Sequence, residues 1–113
     1  LCVLASQCGT PFQLKTDGCI LALEDLAEPA YKIDRLLYQL EMAGLFNNVI
    51  GILLGSFHNC LVPDNVNWGL DSVFFKRLAA LNIPVYHRAQ FGHEAVNWIW
   101  KSGNIIQLVP NVE

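Results

Sequence analysis

The stretch GCILALEDLAEPAYKIDRLLYQL, residues 18 to 40, decides the fold because it joins a short apolar run to an amphipathic helix. Residues 18 to 24 predict a strand, since an Asp-Gly turn before the run and a Glu-Pro pair after it leave no room for a long helix. The run ends in two adjacent carboxylates, Glu24 and Asp25. A strand that looks buried but ends in two acidic residues needs an explanation.

The residues that follow predict a helix and a second strand. From residue 30 to about residue 43, apolar residues recur every three or four positions, which predicts an amphipathic helix that ends at Gly44. The next apolar run, VIGILLG at residues 49 to 55, is rich in branched side chains and is typical of a strand buried on both faces of a parallel sheet. A strand, a helix and a strand in this order predict a right-handed crossover unit.

The rest of the chain predicts four further elements. Residues 1 to 8 indicate the last turns of a helix that ends at Gly9. A second long helix is expected over residues 70 to 81 and a short third strand over residues 83 to 86. NWIWK and NIIQLV flank a Ser-Gly pair and predict a C-terminal β-hairpin. The expected fold is therefore α/β, with a mixed, partly parallel sheet and a C-terminal β-hairpin.

Length and composition restrict the class of protein. The 113 residues predict a single domain, and 53% hydrophobic against 15% charged residues argue against disorder and indicate surface that a partner domain or subunit covers. The net charge of -3 and scattered basic residues argue against a nucleic-acid partner. We expect no membrane-spanning segment and no signal peptide. The first residues indicate the tail of an earlier helix, as in a piece of a longer protein.

The four cysteines lie in apolar surroundings without a CxxC pair, at Cys2, Cys8, Cys19 and Cys60. This spacing favours buried, reduced thiols in a cytosolic protein over a disulfide framework.

Two side chains are candidates for chemistry. Glu24 follows a buried strand, at the edge where open α/β sheets place their ligands, although it could simply cap the strand. His93, in AQFGHEAVN, follows the third strand and a glycine that permits close backbone approach, although a loop histidine is commonly a surface residue. The two could converge, so that the carboxylate fixes the imidazole tautomer and leaves a general base. This pair lacks a nucleophile.

Four motifs occur in a particular order: ILxLED at residues 20 to 25, Tyr-x-Ile-Asp-Arg at 31 to 35, GIxLGxF at 51 to 57 and FGH at 91 to 93. In this order they resemble the C-terminal domain of the LD-carboxypeptidases, the serine peptidase family that also contains the microcin C self-immunity peptidases. The resemblance extends from LASQCGTP to the final hairpin. It implies a small swivelling β/β/α-type domain over residues 1 to 113.

The resemblance also implies a Ser-Glu-His triad, to which this chain contributes Glu24 and His93. The nucleophilic serine of the family belongs to a separate N-terminal domain that this chain lacks, and the serines present do not match its motif: Ser6, Ser56, Ser72 and Ser102. The isolated chain is therefore expected to be inactive. Asp25 is expected to have a structural role at the turn, and further charged residues are expected to shape the turn and the helix start: Glu28, Asp34 and Arg35.

The implied reaction is removal of the terminal D-alanine from a muropeptide tetrapeptide during cell-wall recycling in the cytoplasm. It requires no metal and no cofactor. The implied partners are the chain's own N-terminal domain, the muropeptide substrate and a second copy in a homodimer, with no nucleic acid and no membrane.

Other interpretations remain open. His58 and Cys60 lie close together, but they do not supply the paired ligand sets usual for zinc. Trp98 and Trp100 alternate in the predicted hairpin and would share one face, which favours packing or an interface over stacking on a sugar or base. The family usually carries smaller aliphatic residues there, which puts the substrate preference in question. The alternative functions are a microcin C-type aminoacyl-nucleotide peptidase and a non-catalytic interaction module.

Overall fold

The sheet consists of three parallel strands, paired in chain order. The computed structural model describes residues 1–109. In chain order the elements are α1 (Cys2–Ser6), β1 (Ile20–Leu26), α2 (Ala30–Met42), β2 (Gly51–His58), α3 (Leu70–Leu78), a 3-10 turn (Ala79–Leu81) and β3 (Val85–Tyr86). Strand β2 lies between β1 and β3 and pairs with both in parallel. The predicted α/β class and the strand-helix-strand unit are confirmed.

The central strand and the first long helix form most of the core. The first five residues of β2 are buried, as predicted for a strand covered on both faces. Helix α2 buries the apolar stripe that its sequence spacing predicts: Ala30, Ile33, Leu36, Leu37 and Leu40. The helix ends where Gly44 adopts a φ of +79°, and the Leu45 amide donates to the Leu40 carbonyl at 3.0 Å.

An ion pair between Asp34 of α2 and Arg77 of α3 joins the two helices. Arg77 Nε donates to Asp34 Oδ1 at 2.6 Å, and Arg77 Nη2 donates to Oδ2 at 3.1 Å. The guanidinium also lies 4.8 Å from the centre of the Tyr38 ring. The hydrogen bonds from Arg77 lower the pKa of the Asp34 carboxyl. The sequence-based assignment of Asp34 to the helix start was wrong, because its partner comes from a distant helix.

Replacing Asp34 by asparagine is expected to lower the free energy of unfolding by about 1 kcal/mol at pH 7, since the pair is two-pronged but partly exposed. Folding lowers the pKa of Asp34, so the pair stabilises the fold above the unfolded value of about 3.9 and ceases to do so as the pH falls through the lower folded value. The difference between variant and wild type in urea denaturation should therefore shrink below about pH 4.

The control for this prediction is Glu28→Gln, which removes an ion pair at the start of α2. Glu28 precedes α2, and its Oε1 lies 2.7 Å from Nζ of Lys32 in the first turn of the helix. This pair joins two residues that are close in sequence and links no second helix, so its loss should matter less. A stability loss for Glu28→Gln equal to that for Asp34→Asn would contradict the importance of the link between α2 and α3.

The predicted C-terminal hairpin is not formed, and the described sheet is parallel throughout rather than mixed. The turn itself exists, because the Asn104 amide donates to the Lys101 carbonyl at 3.2 Å and Gly103 has a φ of +85°. Residues 97–109 contain no strand, and Ile99 and Ile105 are fully exposed. A hairpin alone is only marginally stable, and β3, with two residues, offers little edge for it to join.

All four cysteines are free thiols. Cys60 is buried, as predicted, and its burial raises the pKa of its thiol. Cys2 and Cys8 are half-buried, whereas Cys19 is exposed, so the prediction of burial was wrong for Cys19. Among residues 1–109, no helix is long and apolar enough to cross a membrane.

Candidate active site at the carboxyl ends of the strands

Glu24 lies near the carboxyl end of β1, where the pairing with β2 is irregular. Leu23 is opposite Leu54, whereas Asp25 is opposite Phe57. Two residues of β2 therefore face Glu24, which is the arrangement of a β-bulge. Bulges bend the strand and change the direction in which side chains point, and here the irregularity coincides with the candidate carboxylate.

The segment after β3 continues alongside β2 and carries the FGH motif. The Ala89 amide donates to the Leu54 carbonyl at 2.9 Å, and the Ser56 amide donates to the Phe91 carbonyl at 2.8 Å. Phe91 is buried, and its ring packs so close to Gly55 that a Cβ there would lie 2.7 Å from a ring carbon. Gly55 is therefore needed for this ring to pack against the strand. These contacts fix the backbone that leads to His93.

At the end of this segment, the His93 side chain contacts Glu24. Its Nδ1 lies 2.9 Å from Glu24 Oε2. Because an ionised carboxylate can only accept, Nδ1–H is the donor, and in the neutral imidazole Nε2 then keeps its lone pair. The imidazole is 53% exposed and the carboxylate 29% exposed, so the ring remains accessible from outside the chain. The structure thus brings the two predicted residues together, and their catalytic role stays a prediction.

Gly92 allows this approach. Its φ is +111°, in the region that favours glycine. A Cβ at this position would lie 2.8 Å from Glu24 Oε2 and closer still to Ser56 Oγ. Any side chain at residue 92 would therefore collide with the carboxylate that His93 contacts. Glycine is therefore required at this position of the FGH motif, because a side chain there would collide with the site.

A second acid-histidine pair, His58 and Glu94, lies close by at the same edge. His58 Nδ1 is 3.3 Å from Glu94 Oε1, and both side chains are about half exposed. In the sequence, His58 lies close to Cys60, a spacing that raises the question of a metal site. In the described part of the chain, no three His, Cys, Asp or Glu side chains form a group that could hold a metal ion. The partner of His58 could not be read from the sequence because it comes from a distant loop.

Asp25, the neighbour of Glu24, has the structural role that the sequence predicts. Its Oδ2 accepts a hydrogen bond from the Cys2 amide at 2.8 Å, and its Oδ1 accepts one from the Leu26 amide at 2.9 Å. Cys2 is the first residue of α1, where an amide has no acceptor within the helix. Asp25 therefore joins the end of β1 to the start of α1.

A cleft of about 520 Å³ opens beside Glu24 and is bordered by α1 and the C-terminal segment. Trp98 and Trp100 line it, each about half exposed. Trp100 packs edge-on against Phe91 with 5.7 Å between ring centres, and Trp98 Nε1–H donates to Gln90 Oε1 at 3.1 Å. The expectation that the two indoles share a strand face was wrong, since they are not in a strand. Both nevertheless border the candidate site.

The fold and the site define an α/β domain that carries a carboxylate-histidine pair where its parallel strands end. The family model described as the LD-carboxypeptidase C-terminal domain matches residues 1–108. The chain therefore belongs to this family. The resemblance that four sequence motifs indicate is confirmed over nearly the whole chain.

A curated relative supports the same assignment. The chain is 37% identical over 112 residues to the murein tetrapeptide carboxypeptidase of Pseudomonas aeruginosa, which covers 98% of this chain and 36% of the relative. The chain thus spans about a third of the length of the relatives it matches.

Two solved structures are similar in fold. The crystal structure of muramoyltetrapeptide carboxypeptidase from Oxalobacter formigenes has a TM-score of 0.76 and 29% identity, covering 85% of this chain and 34% of that one. The microcin C7 self-immunity protein MccF, in complex with aspartyl sulfamoyl adenosine, has a TM-score of 0.64 and 24% identity, covering 76% of this chain and 26% of that one. At 24% identity the likeness to MccF shows the fold alone.

Proposed function

We propose that this chain is the C-terminal catalytic domain of a serine LD-carboxypeptidase and supplies Glu24 and His93 of a Ser-Glu-His triad. The observation that carries the proposal is the hydrogen bond between His93 Nδ1 and Glu24 Oε2, at 2.9 Å. Membership of the LD-carboxypeptidase family supports the reaction class. The pair has the geometry of an acid that orients a general base.

His93 acts as the proton carrier. Within residues 1–109, its Nε2 makes no hydrogen bond, and the ring is more than half exposed. Nε2 takes the proton of the serine hydroxyl as that oxygen attacks the peptide carbonyl, and the Glu24 carboxylate stabilises the imidazolium that forms. The same proton then passes to the leaving amine. A water molecule hydrolyses the resulting acyl-enzyme with His93 again acting as base.

The nucleophile is supplied by a domain upstream of this chain. Ser56 is the serine nearest to the pair, but its hydroxyl is buried and cannot reach a substrate. Ser6 donates to the Val3 carbonyl at 2.7 Å on α1, and Ser72 lies at the exposed start of α3. The chain spans about a third of its relatives' length, which leaves ample length for a nucleophile domain in the whole protein.

The substrate is a muropeptide tetrapeptide, cut between the L-centre of its diamino acid and the terminal D-alanine. The relative from Pseudomonas is a murein tetrapeptide carboxypeptidase, and the structural relative from Oxalobacter is a muramoyltetrapeptide carboxypeptidase. Such a reaction belongs to cell-wall recycling in the cytoplasm. Its mechanism runs through the three triad side chains, and the whole protein acts as a homodimer without nucleic acid or membrane partners.

The full-length protein is expected to release D-alanine from a muropeptide tetrapeptide, whereas residues 1 to 113 alone are not, because they lack the nucleophile. Free D-alanine is measured over time with equal amounts of each protein. Activity of the isolated chain would contradict the split triad.

An aminoacyl sulfamoyl adenylate serves as the competing substrate in the same assay. If the full-length protein cleaves this compound faster than the muropeptide, the chain works in a microcin C-type peptidase instead. If it cleaves neither compound, the enzyme proposal is wrong and an interaction module becomes the better interpretation.

A further inference from the structure

The hydroxyl of Ser56 is buried without a hydrogen-bond partner, and no other side-chain polar atom in residues 1–109 shares that condition. A buried hydroxyl that makes no hydrogen bond loses its contacts with water and gains nothing in return. Such groups are rare in folded proteins, and those that occur commonly have a functional reason. The location of this one provides the reason.

Ser56 lies on β2 in the bulge that faces Glu24. Its oxygen and Glu24 Oε2 border the same point, since a Cβ on Gly92 would be less than 3 Å from each of them. The backbone of Ser56 is held in place, because its amide donates to the Phe91 carbonyl at 2.8 Å. Because the hydroxyl is buried, it lies beside the carboxylate and away from solvent.

We propose that Ser56 is a positioning residue for the Glu24–His93 pair and that its hydroxyl donates a hydrogen bond to the Glu24 carboxylate. The two oxygens face each other across the position of the missing Gly92 Cβ, which lies less than 3 Å from both of them. The carboxylate has acceptor sites left, because its two oxygens offer about four lone pairs and His93 uses one of them. The hydrogen bond stabilises the ionised carboxylate and holds its orientation toward Nδ1. The inference rests on the proposed function, because that function makes Glu24 and His93 the catalytic pair that Ser56 positions.

The charged side chains near the pair have other hydrogen-bond partners, so the Glu24 carboxylate can interact with Ser56 and His93. His58 and Glu94, which also lie at this edge, pair with each other at 3.3 Å. Asp25, the sequence neighbour of Glu24, accepts its hydrogen bonds from the amides of Cys2 and Leu26. Ser56 is therefore the side-chain donor that the bulge presents to Glu24.

The test is a titration of the His93 imidazole by NMR in the full-length protein with labelled histidine. In Ser56→Ala the titration midpoint should rise by about half a pH unit, because a carboxylate that loses one donor stabilises the imidazolium more strongly. The kcat for D-alanine release should fall about tenfold, since the carboxylate is held less well. Ser72→Ala, at the exposed start of α3, is the matched control and should leave both quantities unchanged.

An unchanged or lower midpoint in Ser56→Ala would overturn the proposal. So would a higher melting temperature with no change in the midpoint, because that result identifies the hydroxyl as merely unsatisfied. The titration needs no substrate. If the midpoint rises but the wild type releases no D-alanine, the hydrogen bond stands and the proposed function fails.

Discussion

Replacing His93 by alanine in the full-length protein is expected to lower kcat for D-alanine release by about three orders of magnitude or more. Without the imidazole, no group at this edge can take the proton of the attacking serine from the same position. Glu24→Gln should lower kcat by about two to four orders of magnitude. A glutamine amide that donates to Nδ1 moves the ring proton to Nε2, and that tautomer cannot act as a base.

The nearby pair of His58 and Glu94 supplies the matched control. His58→Gln removes an imidazole at the same edge that is also about half exposed and also contacts a glutamate, at 3.3 Å. Its loss should change kcat less than threefold, because the Glu24–His93 contact is left intact. A loss as large as that of His93→Ala would show that the wrong acid-histidine pair has been assigned.

The combination of both substitutions provides a further check on the roles. If Glu24 acts only through the imidazole, the variant with Glu24→Gln and His93→Ala should be no slower than His93→Ala alone. Activities that multiply would mean that Glu24 acts on the substrate independently of His93.

The main elements of this fold could be predicted from the sequence because their signals are local. The 3.6-residue period of α2 and the continuous apolar run of β2 are both visible in short windows. The end of β1 was placed two residues too early, at Glu24 rather than Leu26. Backbone pairing with β2 continues past the polar side chains, since ladder hydrogen bonds do not depend on side-chain polarity.

The errors concern contacts between residues that are distant in sequence. Asp34 pairs with Arg77 on another helix, and His58 pairs with Glu94 on another loop. The predicted hairpin had a correct turn, but its strands needed an edge partner that the two-residue β3 does not provide. The spacing of residues in a sequence reveals neither an ion-pair partner that is distant along the chain nor a sheet edge that is free to pair.

The sequence predicted the candidate pair, but it did not predict that Ser56 lies beside the pair. Strand ends and the FGH motif indicated Glu24 and His93. From the sequence, Ser56 is only a serine that does not match the nucleophile motif. Its position opposite Glu24 depends on a bulge that shifts the register by one residue, and a shift of this kind leaves no recognisable pattern in a single sequence.

Gly92→Ala is expected to lower kcat about a hundredfold or more and to reduce the melting temperature. The added Cβ would lie 2.8 Å from Glu24 Oε2 and closer still to Ser56 Oγ, both partly or wholly buried. Either the Glu24 carboxylate or the FGH segment must then shift, and either movement disturbs the 2.9 Å contact between His93 and Glu24. A displacement of about 1 Å in a catalytic group can cost a hundredfold in rate. Steady-state kinetics and thermal denaturation of the full-length protein measure the two effects.

Gly103→Ala separates the steric cause from backbone strain. Gly103 also has a positive φ, +85°, but no atom lies within 4 Å of the position of its missing Cβ. Alanine there should cost about 1 kcal/mol of stability for the left-handed backbone and leave kcat unchanged. If Gly92→Ala lowers stability no more than Gly103→Ala does and retains kcat, then Glu24 and His93 do not depend on the close approach at Gly92. A loss of kcat in Gly92→Ala, with a loss of stability no larger than that of Gly103→Ala, would instead mean that catalysis requires the absence of a side chain at residue 92.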